Sequence, residues 1–351
     1  IYNQMFDSRL NNFDLIRLLA AFQVLMAHSI SHFNVGGNIV TSLLGYLPGV
    51  PIFFFTSGFL ISLSYEKSDN YKRYAKNRFL RIYPALWVAF IISIFSILLT
   101  DYKLIFNFEF VKWVAAQLTF LQFYNPDFMR NYGVGVLNGS LWTIPVEIAF
   151  YIILPIMYQI GRKFKNINIV LYGLGGVSIF IDWYFVTTSG QYGDNLLHKL
   201  LGVSVFPYLW MFIVGILFQR KWKSIKHLIE GKFYFWSVVI TILIMTDVNF
   251  EYIAKGNHPN ILYYIVIAFF ISSLAVHLDG SWSIWLRGND VSYGVYIYHM
   301  IIINFMVYMN KDESILFLVL TVFLTFLMAL ISWKMIERPA LKLKNKTIHR
   351  L

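Results

Sequence analysis

The chain alternates between long apolar runs and short polar gaps that are mostly basic. A helix needs about 20 apolar residues to cross a bilayer. Ten runs approach or reach that length, near 13–33, 46–64, 84–100, 141–159, 167–187, 203–219, 233–249, 261–278, 291–309 and 315–336. None alternates apolar and polar positions with a period of two, so helices are expected rather than a closed barrel. The longest gap, about 101–140, holds a further apolar stretch from Phe110 to Phe123. It is expected as an interfacial or re-entrant helix that does not cross. No linker, low-complexity segment or internal repeat breaks the pattern. The expected architecture is all-α, a polytopic transmembrane helical bundle of about ten spans forming one integral-membrane domain over 1–351.

Composition agrees with this reading. Apolar residues make up 58% of the 351 and charged residues 13%, about half the roughly 25% of a soluble globular protein. The absence of Cys excludes disulfides, thiolate metal sites and a Cys nucleophile. A net charge of +11 raises nucleic acid as a partner, and the placement of the charge answers it. Numbering the gaps alternately sorts the basic residues onto two faces. One face collects Arg9, Lys67, Lys72, Arg73, Lys76, Arg78, Arg81, Arg162, Lys163, Lys165, Arg220, Lys221, Lys223, Lys226, Lys232 and Arg287. Lys334, Arg338, Lys342, Lys344, Lys346 and Arg350 of the tail join them. The other face has only Lys103, Lys112, Arg130, Lys199, Lys255 and Lys311. This is the positive-inside asymmetry of a multi-pass protein of the cell membrane with both termini cytoplasmic, in contact with membrane lipids and not with nucleic acid. The first run carries Asp14, Arg17 and His28 and lacks a small-residue cleavage site, so it is not expected as a removable signal.

Ionisable residues inside spans are costly and are therefore the first functional candidates. Arg17 and His28 are eleven positions apart, 1100° at 100° per residue, about 20° past three full turns. They share a face about 16 Å apart along the axis, with His28 beyond the midplane. Asp14, one turn from Arg17, is placed to pair with it. Ser57 and Gly58 in the second span are small residues of the kind that let helices approach. Arg78 and Arg81, three apart and just before Pro84, are expected at a helix start, either as a phosphate clamp or as further membrane-side anchors. Glu147 lies about seven residues into its span and needs a partner, for which His28 is at a compatible depth. His299 lies mid-span beside Tyr293 and Tyr296, as a core histidine or a working one. Glu337 and Arg338 end the tenth span, with an interface ion pair as the simple account. Asp182 and Asp247 sit near the outer ends of their spans. Trp183, Tyr184, Tyr192 and Tyr252 are outer aromatics suited to sugar rings or to the membrane interface.

Taken in order, these segments resemble acyltransferase family 3. The resemblance rests on Arg17 and His28 at their spacing, Ser57-Gly58-Phe59-Leu60, and Arg78 with Arg81. It continues through Leu141-Trp142-Thr143 followed by Glu147, Ser292-Tyr293-Gly294 followed by His299, and Glu337-Arg338-Pro339. The matches run from residue 13 to 339, and the similarity is to stand-alone members that lack an appended esterase-like domain.

The resemblance implies a membrane O-acyltransferase. It would move an acyl group, most often acetyl, from cytoplasmic acyl-CoA to a hydroxyl of a cell-surface carbohydrate: exopolysaccharide, O-antigen, peptidoglycan or a lipid-linked sugar. Acetyl-CoA is then a co-substrate, with no permanently bound cofactor and no metal. His28 would be the base, Glu147 its orienting carboxylate, and Arg17, Arg78 and Arg81 the donor-binding cations. Asp14, Ser57, Trp142, Tyr296, His299 and Glu337 are supporting candidates. Direct transfer and an acyl-enzyme both stay open. The contrasting class is a secondary transporter or flippase for a lipid-linked sugar, which also places ionisable residues near the midplane but commonly shows paired broken helices in its two halves.

Overall fold

The computed structural model describes residues 12–35, 37–68, 70–247, 254–277, 286, 289–309 and 314–344, with the side chains of 37–39, 41, 254 and 255 left aside. Arg9, Tyr252, Arg287, Lys311, Lys346 and Arg350 lie outside the described residues, as does the Lys255 side chain.

The helices in chain order are α1 (Phe13–His32), α2 (Gly37–Gly45), α3 (Gly49–Glu66), α4 (Tyr71–Thr100), α5 (Phe108–Leu118) and α6 (Thr143–Lys163). Then come α7 (Ile167–Tyr192), α8 (Leu196–Gly202), α9 (Leu209–Arg220), α10 (Trp222–Ile225) and α11 (Phe233–Thr246). A two-stranded hairpin, β1 (Ala254–Lys255) and β2 (His258–Pro259), leads into α12 (Ile261–His277). The chain continues with α13 (Ser292–Tyr308), α14 (Ile315–Ser332), a π-helical turn over Trp333–Glu337, and α15 (Arg338–Lys342). Asparagines start many of them. Asn70, Asn107, Asn166, Asn195 and Asn260 each accept a hydrogen bond from the backbone N–H two residues on, which satisfies a donor the first turn leaves open.

Among the described residues, six helical stretches are long and apolar enough to cross a membrane: Phe13–His32, Ser42–Glu66, Tyr71–Thr100, Gly139–Lys163, Ile167–Tyr192 and Ile315–Lys342. A seventh follows if Trp222–Leu228 and Phe233–Thr246, bent by 74°, form one span. Gly231, with φ of +71°, lies at that bend in a conformation other residues rarely adopt. Each of the ten expected runs falls on a helix, but four of those helices are short. They are α9 with 12 residues, α11 with 14, and α12 and α13 with 17 each. Twelve residues rise only about 18 Å, well under the roughly 30 Å of a bilayer core. The run 203–219 loses its beginning to a turn in which the Ser204 hydroxyl donates to the Leu201 carbonyl.

The helix start expected near Pro84 is corrected. α4 begins thirteen residues earlier, capped by Asn70, and Pro84 sits inside it. The stretch before Pro84 looks like a polar gap because of its cations, yet Lys, Arg, Ala and Leu are good helix formers, so the helix extends outward from the apolar run.

The chain forms two compact units, the first from Ile1–Gln23, Ser42–Ser68 and Ala149–Asp290, the second from Val24–Thr41, Asp69–Ile148 and Val291–Leu351. In the first, α3 and α9 meet backbone to backbone. A Cβ on Gly58 would overlap the Phe212 carbonyl, and one on Gly215 would overlap that of Phe55. At one end of the same pair a polar network closes. The Tyr158 hydroxyl donates to Glu66 at 2.7 Å and Arg220 pairs with the same carboxylate at 2.7 Å. The Ser62 hydroxyl lies 2.8 Å from Tyr158.

In the second unit α13 is the centre. Every residue from Ser292 to Asn304 is buried, the mark of a helix enclosed on all sides. Gly294 lets α14 approach, since a Cβ there would lie 2.8 Å from the Ala329 Cα. Tyr293 donates to the Ile82 carbonyl of α4 at 3.0 Å. Phe90, Ile97, Trp113, Met129, Tyr132 and Leu137 form a core that seats α5 and the following segment on α4. The apolar stretch from Phe110 is thus the 11-residue helix α5, too short to cross.

Candidate active site

α13 carries His299 into the core of the second unit, where its side chain is fully buried. His28, on the part of α1 that belongs to this unit, places Nδ1 2.9 Å from His299 Nε2. The two rings are nearly parallel, with centroids 5.1 Å apart. On its far edge His299 Nδ1 lies 3.2 Å from the Val295 carbonyl oxygen. A carbonyl only accepts, so this nitrogen carries hydrogen. In the neutral ring Nε2 is then an acceptor, and His28 Nδ1–H donates to it. The assignment leaves the lone pair of His28 on Nε2. One backbone carbonyl thus fixes the tautomers of two imidazoles.

Where the sequence reading expects the Glu147 carboxylate to orient His28, the structure shows His299 on one of its ring nitrogens. The carboxylate lies in the second turn of α6, half-buried, and acts electrostatically on Tyr296. Tyr296 donates to the Ser140 carbonyl at 2.9 Å and lies 2.8 Å from the Thr143 hydroxyl. Its ring meets His299 edge-on at 5.9 Å. Trp142, half-buried, closes the 3₁₀ turn Gly139–Trp142 between these contacts.

The segment that carries Ser140 is stitched to α13 by two asparagines. Asn304, fully buried, donates to the carbonyls of Val136 and Leu137 at 3.0 and 2.9 Å, and accepts from Val134 N–H at 2.9 Å. Asn138 donates to the Ile297 carbonyl at 2.9 Å. Gly133, with φ of +54°, passes directly against the Asn304 amide, where no Cβ fits. Sequence reasoning missed both asparagines. The one signal is the amide of Asn304 inside an otherwise apolar run.

Arg17 lies in the first unit and pairs with Asp290 at 2.5 Å. The expected partner was Asp14, in the first turn of the same helix. A neighbour count along one helix cannot see a carboxylate 273 residues away that ends the loop before α13. Ser57 is buried on α3, and next to it Gly58 makes the close contact with α9.

Arg78 and Arg81 stand inside the first half of α4, not at a helix start. The Arg78 guanidinium lies 5.8 Å from the Tyr74 ring centre. Lys76 donates to the Leu343 carbonyl at 3.1 Å, which ties the turn after α15 to α4. Lys344, in that turn, feels both arginines. Burial first, and then the charges of Arg78 and Arg81, lower its ammonium from the usual 10.5 to about 8. Three cations therefore gather at one end of α4, the third of them counted in the sequence only as part of a basic tail. Glu337, expected at an interface, is buried in the π-helical turn and accepts from the Ser332 hydroxyl at 3.1 Å. Ser332 in turn accepts from Tyr298 at 3.0 Å, the residue before His299. A π-helical turn of this kind is often found at functional sites.

Among the described residues no group of three or more metal-ligating side chains converges. The arrangement offers an imidazole with a defined lone pair, a cationic cluster and a rigid carrier helix.

Comparison with known proteins bears on what this arrangement serves. The family model described as an acyltransferase domain, acyltransferase family 3, matches residues 10–335. Nodulation protein 10 of Rhizobium leguminosarum bv. viciae is 30% identical over 370 residues, covering 99% of this chain and 98% of the relative. An O-acetyl transferase of Shigella phage Sf6 is 27% identical over 346 residues, covering 93% and 95%. The peptidoglycan O-acetyltransferase OatA of Listeria monocytogenes is 26% identical over 361 residues, covering 94% of this chain but 55% of the relative. No solved structure matches. With the family model covering nearly the whole chain, the protein belongs to acyltransferase family 3 and is an O-acyltransferase.

Proposed function

We propose that the enzyme carries acetyl groups from cytoplasmic acetyl-CoA to a hydroxyl of a glycan on the other side of the cell membrane. The observation that supports it best is the His28–His299–Val295 relay, which presents His28 Nε2 as an unprotonated base. In the reaction His28 Nε2 takes the proton of the sugar hydroxyl as its oxygen attacks the thioester carbonyl. The new C–O ester bond forms, the C–S bond breaks, and the imidazolium returns the proton to the departing sulfur of coenzyme A. His299 holds the ring of His28 in register throughout. Tyr296 holds the ring of His299 from the side.

Arg78, Arg81 and Lys344 are the proposed seat of the donor's phosphates, because three cations gathered together favour a multiply charged anion. Arg17, steadied by Asp290, keeps the donor-side role its motif implies. A carbohydrate acceptor fits the relative whose name specifies peptidoglycan. About ten spans with both termini cytoplasmic follow from the charge asymmetry, with the four short helices crossing where the bilayer or their neighbours accommodate them.

The test uses inside-out vesicles from cells that make the native acceptor, supplied externally with labelled acetyl-CoA. Alkali-labile label in lumenal carbohydrate with the wild type, absent with His28→Ala, is the expected result. Label retained by His28→Ala removes the proposed base.

A further inference from the structure

A cavity of about 290 Å³ in the first unit lies among residues the transfer chemistry leaves unused. Its wall includes Asp182, Trp183 and Thr187 of α7, His258 of the hairpin, and Asn260 and Ile261 at the start of α12. Asp182 is buried and held on both sides. One carboxylate oxygen accepts from the Trp210 indole at 3.0 Å, and the other lies 2.5 Å from His258 Nδ1. Each oxygen keeps a further lone pair.

The neighbouring groups are equally fixed. His258 is placed by its pairing with Lys255 across the hairpin, and its ring lies 5.2 Å from both Phe185 and Tyr208. Asn260 caps α12 through Oδ1, leaving its Nδ2 hydrogens to donate elsewhere. Trp183, next to Asp182, is 59% exposed although it lines the cavity.

A purely structural role accounts for the Asp182–His258–Trp210 contacts, which pin α7, the hairpin and α9 together. It does not account for an open indole beside a rigid carboxylate and an amide donor. Among the described lining residues there is no lysine or arginine, so phosphates and carboxylates find no cationic partner there. A neutral ring with one apolar face and several hydroxyls suits it: the C–H face on Trp183, the hydroxyls toward Asp182 and Asn260.

We infer that this cavity is a binding subsite for a neutral pyranose of a glycan. The inference rests on the glycan-acceptor reading for its purpose, but sugar binding there requires neither the donor nor His28.

Saturation-transfer NMR on the full chain in lipid nanodiscs tests it, with the methyl glycosides of glucose, galactose, rhamnose and N-acetylglucosamine as probes. At least one glycoside is expected to receive saturation, with affinity reduced about tenfold in Trp183→Ala and in Asp182→Asn. Trp183 is exposed, so its variant keeps the fold even where Asp182→Asn does not. His28→Ala is expected to bind the glycoside as the wild type does. Binding with no acetyl transfer to any glycan in the vesicle assay leaves the subsite standing and removes the acceptor reading. Binding of none of the four, or binding that both cavity variants leave unchanged, overturns the subsite.

Discussion

His28 Nδ1 and His299 Nε2 face each other at 2.9 Å, two imidazoles from opposite ends of the sequence joined by one hydrogen bond. Removing the acceptor leaves His28 free to turn and to change tautomer. His299→Phe is expected to lower kcat for acetyl transfer by about 10²–10⁴-fold, the usual range for a lost or misoriented base. The KM for acetyl-CoA stays near the wild-type value. His299→Gln, whose amide oxygen can accept from His28 Nδ1, recovers part of the rate. Equal rates in the Phe and Gln variants in the vesicle assay count against a tautomer-setting role.

The lowered ammonium of Lys344 gives a pH dependence with a definite sign. Between about 8 and 10.5 the unfolded chain holds a proton that the folded one gives up, so stability from this group rises with pH across that window. Anion binding runs the other way, since it needs the charged form. The KM for acetyl-CoA is therefore expected to rise as pH passes about 8. Lys344→Gln shows a high KM at every pH, and Lys344→Arg a low and flat one. Steady-state kinetics across this range in the three proteins checks it, and a rise that persists unchanged in Lys344→Arg assigns the titration elsewhere.

The contact of α3 with α9 predicts a sharp difference between glycines. Gly58→Ala puts a methyl group into the Phe212 carbonyl and is expected to cost about 1–3 kcal/mol or more, as overpacking does. Gly176→Ala, on α7 with open space around it, is expected to be neutral or to stabilise by roughly 0.5–1 kcal/mol, because alanine loses less freedom in a helix. Thermal unfolding of the two purified variants separates these outcomes.

Asn304 predicts a local effect. Asn304→Leu keeps the bulk but strips partners from the Val136 and Leu137 carbonyls and from the Val134 N–H. Each buried group left unsatisfied costs about 1–3 kcal/mol. Protease cutting within 127–142 is expected to rise well before the protein as a whole unfolds, which limited proteolysis followed by mass spectrometry measures.

Much of this was legible in the sequence, and the rest was hidden for physical reasons. Helices could be placed because apolar runs are long and uninterrupted, and α1, which carries Arg17 and His28, spans nearly the expected residues. The start of α4 did not, because hydrophobicity reports burial in lipid while a helix can run on into water among lysines and arginines. Partners were the harder problem. Proximity along one helix points to Asp14 for Arg17, and depth in the span points to Glu147 for His28. The observed partners, Asp290 and His299, come from the far end of the chain, where only the folded structure brings them near. His258 escaped notice altogether because it sits in a two-residue strand that no apolar pattern marks.

The amides of Asn138 and Asn304 fasten the segment beside His299 to its helix without a single net charge. Uncharged contacts of this kind are indifferent to the ionic atmosphere, whereas guanidinium and ammonium groups that hold phosphates are screened by it. On the proposed donor seat at Arg78, Arg81 and Lys344, turnover is expected to fall in concentrated salt through weaker donor capture. The uncharged scaffold around His28 and His299 is expected to stay assembled under the same salt, so ionic strength would change how often the enzyme loads and not the geometry it loads into.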